Sequence, residues 1–160
     1  MSKQKKALPE EQQTKMIELL NRRLADAIDL QLQSRQACWN VKGPHFIALR
    51  ELFDKIAGEV EGYANLIAER IVQLDGMAEG TAHAIASRSS LDRYLLATAN
   101  GNGHIDALSK TLTDFGRHVR YASEQATELK DADTAAIFTE IARGIDKWLW
   151  FVETSQQSGN

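Results

Sequence analysis

The clearest signal in the chain is a recurring apolar position every three or four residues, the period of a helix with one buried face. It is cleanest over Phe46, Leu49, Phe53, Ile56, Val60, Tyr63, Ile67 and Ile71. An earlier stretch carries Met16, Leu19, Leu20, Leu24, Ala27 and Ile28 and runs to about Trp39. Leu30, Leu32 and Ala37 add apolar character on its other faces, so this first helix is expected to be covered on more than one side. Two later stripes follow: Ile105, Leu108, Leu112, Phe115 and Val119, then Phe138, Ile141, Ile145, Trp148 and Val152. No alternating strand pattern competes with them.

Breakers punctuate these stripes. Pro9 with Glu10 and Glu11 suits a helix start, because proline is tolerated in the first turn and acids face the positive end of the dipole. Gly43-Pro44 ends the first helix and opens the second, which should stop near Gly76. The segment from Gly76 to Gly103 is less regular, with a short helix expected over 82–87 and breaker clusters at Ser89-Ser90 and Asn100-Gly101-Asn102-Gly103. A turn near Lys130-Asp131 leads to the last helix, with Asp131 or Asp133 as its N-cap. The prediction is therefore all-α: four long helices, short turns at both ends, and a long crossover containing a short helix between the second and third. Such a crossover makes the helices it joins parallel.

The chain has 160 residues, enough for one domain with one core, and its 43% hydrophobic and 26% charged residues mark an ordinary globular composition. The expected organisation is a flexible basic tail over 1–8, the bundle over 9–155 and a flexible tail over 156–160. A net charge of −3 excludes a whole-domain basic field for gripping nucleic acid. Lys3, Lys5 and Lys6 form a basic cluster with two open readings, a solvated frayed end or a phosphate-contacting arm that would bring DNA as partner. The lone Cys38 excludes an internal disulfide and suits a reducing compartment. Neither a signal peptide nor a membrane-spanning run is expected, so no membrane partner is foreseen and the cytoplasm is the expected location.

Helical spacing then isolates two polar pairs. Arg50 and Asp54 are four residues apart on the second helix, as are Asn65 and Glu69 further along it. Residues four apart share a helix face, which is how bundles converge ligands on a metal. Eleven residues separate Asp54 from Asn65, roughly 16 Å along the axis, so one helix cannot bring both pairs to one ion. An antiparallel neighbour in a two-fold dimer could lay its far pair beside this near pair.

The stretch Ala37-Cys38-Trp39-Asn40-Val41-Lys42-Gly43-Pro44-His45-Phe46-Ile47-Ala48-Leu49-Arg50-Glu51-Leu52-Phe53-Asp54 resembles the signature of the Dps mini-ferritins, the DNA-protection-during-starvation family. So do Ile67-Ala68-Glu69-Arg70, Asp131-Ala132-Asp133-Thr134 and Asp146-Lys147-Trp148-Leu149-Trp150-Phe151. The resemblance spans essentially the whole chain. It implies a ferritin-like four-helix bundle built into a dodecameric shell from two-fold dimers. That shell would oxidise iron with peroxide, store the ferric mineral inside, and often bind DNA at the bacterial nucleoid.

The resemblance also implies a ferroxidase centre at each two-fold interface. Its pattern reads His, His twelve on, Asp four on, Asp eleven on and Glu four on. The matching positions here hold Cys38, Arg50, Asp54, Asn65 and Glu69, so only Asp54 and Glu69 keep the ligand type. Arg50 has five donors, no acceptor and a permanent charge, and cannot ligate a cation. At ~4 Å and an effective dielectric near ~20, its charge costs a metal ion about 4 kcal/mol per unit charge. Asn65 offers a neutral oxygen in place of a carboxylate, and the soft sulfur of Cys38 suits softer metals than carboxylates do.

The sequence thus predicts Arg50 in the iron position, paired with Asp54 of its own helix and Glu69 of the neighbour, with weak or absent iron oxidation there. Iron is expected at most at low occupancy or in the shell interior. An active ferroxidase with a non-standard ligand set, and a DNA-associating oligomer without a metal role, remain as alternatives. The family's acidic three-fold pore matches at Asp133, while Ala136 stands where an acid is common. His45 is expected to sit at the surface or cap a helix. His83, His104 and His118 show no site-like spacing, Trp39 matches a tryptophan beside the family's centre, and Trp148 and Trp150 are expected to pack.

Overall fold

A computed structural model describes residues 8–98 and 100–156. It contains five helices: α1 Glu10–Asn40, α2 Phe46–Gln73, the short α3 Ala82–Arg88, α4 Gly101–Glu128 and α5 Ala132–Thr154. The four long ones follow the four apolar stripes, because each stripe needs a partner face to leave water. α1 packs along α2 and α4 along α5 as hairpins, and α1 also meets α4 while α2 meets α5. α2 and α4 are therefore diagonal. Phe53 of α2 lies 6.3 Å from the ring of His104 near the start of α4, and Arg70 near the end of α2 reaches Asp131 just past the end of α4. The two helices run parallel, as the long crossover requires.

Phe53, Phe115, Phe138, Met16, Leu20, Leu30, Ile56 and Ile67 are fully buried in one continuous core. Leu8, the last residue of the expected basic tail, is also buried there, since its apolar side chain gains by leaving water. α5 approaches α2 closely at Gly144, where any side chain would collide with the Tyr63 hydroxyl. Some apolar residues expected inside are outside in the single chain. Phe46 is exposed, so the α2 core stripe begins at Leu49; Leu32 and Trp150 are exposed as well.

The breaker reading of residues 100–103 needs correction. Asn100 is an N-cap whose Oδ1 accepts the Gly103 N–H at 2.7 Å, and Gly101 to Gly103 form the first turn of α4. A good cap satisfies a first-turn amide and outweighs the weak helix propensity of two glycines. Asp131 caps α5 in the same way, accepting from Thr134 N at 3.1 Å. Arg70 locks that turn to α2, donating to Asp131 at 2.9 Å and to the Thr134 hydroxyl at 2.8 Å.

The irregular crossover is held by polar residues of α1. Asn21 bonds Met77 O and Glu79 N at 3.0 Å each. Gln33 donates to Asp92 O at 3.0 Å and accepts from Thr111 of α4 at 3.0 Å. Asp26, with no solvent exposure, accepts from Ser90 N at 2.8 Å, meets His118 Nδ1 of α4 at 3.3 Å and pairs with Arg23 at 3.2 Å. Two histidines that looked scattered in sequence thus make tertiary contacts, His118 half-buried and His104 fully buried. His118 joins the Asp26 cluster, and buried His104 meets the Tyr94 hydroxyl at 2.5 Å.

Candidate functional site

Cys38 stands near the C-terminal end of α1, and Arg50 and Asp54 in the first turns of α2, so the short hairpin between these helices brings the three together. The Cys38 thiol faces the Arg50 carbonyl at 3.5 Å, and the Arg50 guanidinium donates to the Cys38 carbonyl at 3.3 Å. No basic residue lies in the last turn of α1. Arg50 supplies that charge from α2, where the free carbonyls of a helix end favour a cation. Burial raises the Cys38 pKa, with Arg50 partly opposing it. The thiol is therefore protonated at neutral pH and is a poor metal ligand.

Within the chain, Asp54 is paired by a residue the sequence reading did not single out. Arg35, on α1 one turn before Cys38, donates to Asp54 Oδ1 at 2.5 Å, and the Arg35 side chain is 29% exposed. The expected Arg50–Asp54 pair is not the one formed: Arg50 turns to the α1 carbonyl end and Arg35 takes the carboxylate. Arg35 was legible only as one more arginine on a long helix. Its reach to Asp54 depends on how α1 and α2 pack, which spacing within either helix does not report.

Asn65 and Glu69 are exposed on the same helix, three turns further along. Among the described residues neither has a hydrogen-bond or ion-pair partner within the chain, and no three His, Cys, Asp or Glu side chains gather as metal ligands. The near cluster holds two guanidiniums, one carboxylate and a neutral thiol. That donor set does not fit a ferrous ion: one of the two retained ligands is already paired with a guanidinium, and both guanidiniums repel a metal.

Asp133 and Ala136 are exposed on one face near the start of α5. Lys3, Lys5 and Lys6 lie outside the described residues. His45 is exposed and occupies the N-cap position of α2 with φ 66°, without a side-chain capping bond. Trp39 is 64% exposed beside Cys38. An open groove of about 820 Å³ runs between α1 and the crossover, lined by Leu32, Gln36, Ile85, Tyr94, Leu95 and Leu96, of which Leu95 and Leu96 are more than 70% exposed. A monomer rarely leaves such apolar surface in water.

The ferritin-like domain pattern matches residues 17–158. The DNA protection during starvation protein of Agrobacterium fabrum is 39% identical over 155 residues, 97% of this chain and 96% of that protein. Among solved structures, DpsA14 from Streptomyces coelicolor is 32% identical with a TM-score of 0.90, covering 96% of this chain and 90% of that one. Mycobacterium smegmatis Dps, in a tetragonal crystal form, is 29% identical with a TM-score of 0.90, covering 96% of this chain and 92% of that one.

Proposed function

This chain belongs to the ferritin-like domain family and, within it, to the Dps mini-ferritins; from that membership we propose that it builds a homo-oligomeric protective shell whose interface iron chemistry is weak or absent. What carries the second half is the cation cluster. Arg35 neutralises Asp54, Arg50 adds a fixed positive charge, and Cys38 is buried and protonated at the positions where the family holds iron as substrate. The exposed leucines of the α1–crossover groove support assembly, because a second copy would remove them from water. The shell is dodecameric by analogy with the family. Any iron it holds sits at low occupancy or in the interior, and its protective role is mainly physical.

The test is ferrous iron with peroxide added to the assembled protein, followed by ferric absorbance. The expected initial rate stays within about threefold of a protein-free control. A fast, saturable phase would establish the opposite reading, an active ferroxidase with a non-standard ligand set.

No described helix is long and apolar enough to cross a membrane. A cytoplasmic location is proposed by analogy with the family and from the lone Cys38, which suits a reducing compartment. DNA protection, the activity named for the relatives, would run through Lys3, Lys5 and Lys6, because the chain as a whole is acidic with a pI near 5.8. Removing these lysines is expected to abolish a DNA gel-shift at low salt, and raising the salt should abolish it for the whole chain too. A shift that survives both changes would place the DNA contact elsewhere.

A further inference from the structure

We infer that the cluster at the junction of α1 and α2 is an anion site, where Arg35 and Arg50 take a tetrahedral oxyanion, inorganic phosphate or the phosphate of a small phosphomonoester; this rests on the reading above that interface iron chemistry is weak or absent. A cation site gathers acceptors, and this one gathers donors. Two guanidiniums stand against one carboxylate, Asp54, and leave a net positive charge. The neutral Cys38 thiol does not offset it. The same residues that exclude a ferrous ion are the ones that would hold its opposite.

Most of the donors are unspent. Arg35 uses Nη1 for Asp54 at 2.5 Å, and Arg50 uses Nη1 for the Cys38 carbonyl at 3.3 Å. Among the described residues the Nε and Nη2 groups of both arginines have no partner. Those two nitrogens form the side of the guanidinium fork that grips two oxygens at once. Arg50 is exposed, and its bond to the Cys38 carbonyl anchors the group while leaving that side open. A carboxylate has two oxygens and fills one fork. A phosphate has enough oxygens to meet both.

The surroundings favour the same sign of ligand. Both arginines reach the neighbourhood of Cys38, Arg35 from one turn earlier on α1 and Arg50 from across the hairpin. Burial raises the Cys38 pKa most; after burial, Arg50 lowers it, Asp54 raises it and Arg35 lowers it, so all three charges act on one sulfur. α2 begins beside them with no acid in its first turn and no side-chain cap. The Ile47 and Ala48 amides have no acceptor among the described residues, so the positive end of the helix dipole is not neutralised. Glu51 follows Arg50 in sequence but projects about 100° away round the helix. Asp54 is therefore the carboxylate with which a phosphate must compete, and it competes for Arg35 alone.

The test is isothermal titration calorimetry of the full chain with inorganic phosphate, after iron has been stripped with a chelator and the chelator dialysed away. About one phosphate should bind per chain at low salt, and raising sodium chloride to about 0.3 M should weaken binding severalfold. Arg50→Gln should weaken it about tenfold or more, because a charged fork is lost. Asp54→Asn should tighten it about threefold or more, because Arg35 is then freed; at a cation site the same change would weaken the ligand. Both side chains are exposed, so the helical signal should stay unchanged in each variant. Duplex DNA added in excess should leave the phosphate heat in place. No phosphate heat, an Arg50→Gln variant that binds like the wild type, or an Asp54→Asn variant that binds more weakly overturns the anion site. Displacement of phosphate by the duplex overturns the small-molecule assignment in favour of backbone phosphates. Failure to bind phosphate while ferric absorbance stays at background overturns this site alone; a fast, saturable iron phase overturns the weak-ferroxidase reading and the anion site with it.

Discussion

Asp26→Ala is expected to lower the unfolding free energy by about 3–5 kcal/mol, the usual consequence of removing one partner from a buried ion pair. Asp26 has no exposure and Arg23 is only 12% exposed at its side chain. Burial already pushes the Arg23 pKa down, and Asp26 is the neighbour that pulls it back up. Without the carboxylate, Arg23 keeps a desolvated charge with no counter-ion. Ser90 N loses its 2.8 Å acceptor, and His118 Nδ1 loses its 3.3 Å contact. Ser90 is exposed and His118 only half-buried, so water replaces much of what they lose and the Arg23 charge dominates the cost. Denaturant unfolding at fixed protein concentration reads the loss, because assembly would otherwise shift the midpoint. Asp26→Asn keeps the size and an acceptor for Ser90 but not the charge, so it should fall between. A loss under about 1 kcal/mol for the alanine variant would mean the crossover is held by its apolar contacts alone.

That cluster also marks where the sequence was hard to read. The four long helices were legible because each apolar stripe obeys one helix's own period, and Leu112, Phe115, Ile141 and Ile145 are buried as the period demands. The caps at Asn100 and Asp131 are likewise local, since the acceptor and its amide are three residues apart. Asn21, Asp26 and Gln33 are different. They are buried polar residues whose partners in the crossover and α4 lie 56–92 positions away, and polar side chains on a long helix ordinarily face water. No pattern within α1 distinguishes a polar residue that meets solvent from one that meets a returning crossover.

The candidate site divides along the same line. Cys38, Arg50 and Asp54 come together as their spacing across one short hairpin implies. Arg35, the residue that neutralises Asp54, comes from packing between α1 and α2. Its presence sharpens the chemistry. A single arginine in a metal position could swing away when an ion arrives. Two guanidiniums, one spent on the retained carboxylate Asp54 and one anchored on the Cys38 carbonyl, leave an arriving cation no free ligand in the near cluster.

Reversing that chemistry should therefore have a large functional effect. Cys38→His, Arg50→His and Asn65→Asp together restore the donor types of the family pattern while Asp54 and Glu69 stay in place. The Arg50 change matters most. Removing one positive charge at ~4 Å relieves up to about 4 kcal/mol at an effective dielectric near ~20, and solvent screening at an exposed site reduces this to roughly 1–2 kcal/mol. That alone is worth about tenfold in ferrous affinity. Asn65→Asp adds a negative charge at the far pair, and two imidazoles replace a protonated thiol and a guanidinium with lone-pair donors. The initial rate of ferric absorbance on adding ferrous iron and peroxide should rise at least about tenfold for the triple variant, and more for Arg50→His alone than for Cys38→His alone. A triple variant that assembles normally and oxidises iron no faster than the wild type would show that Arg35, still bound to Asp54, is enough by itself to keep the ion out.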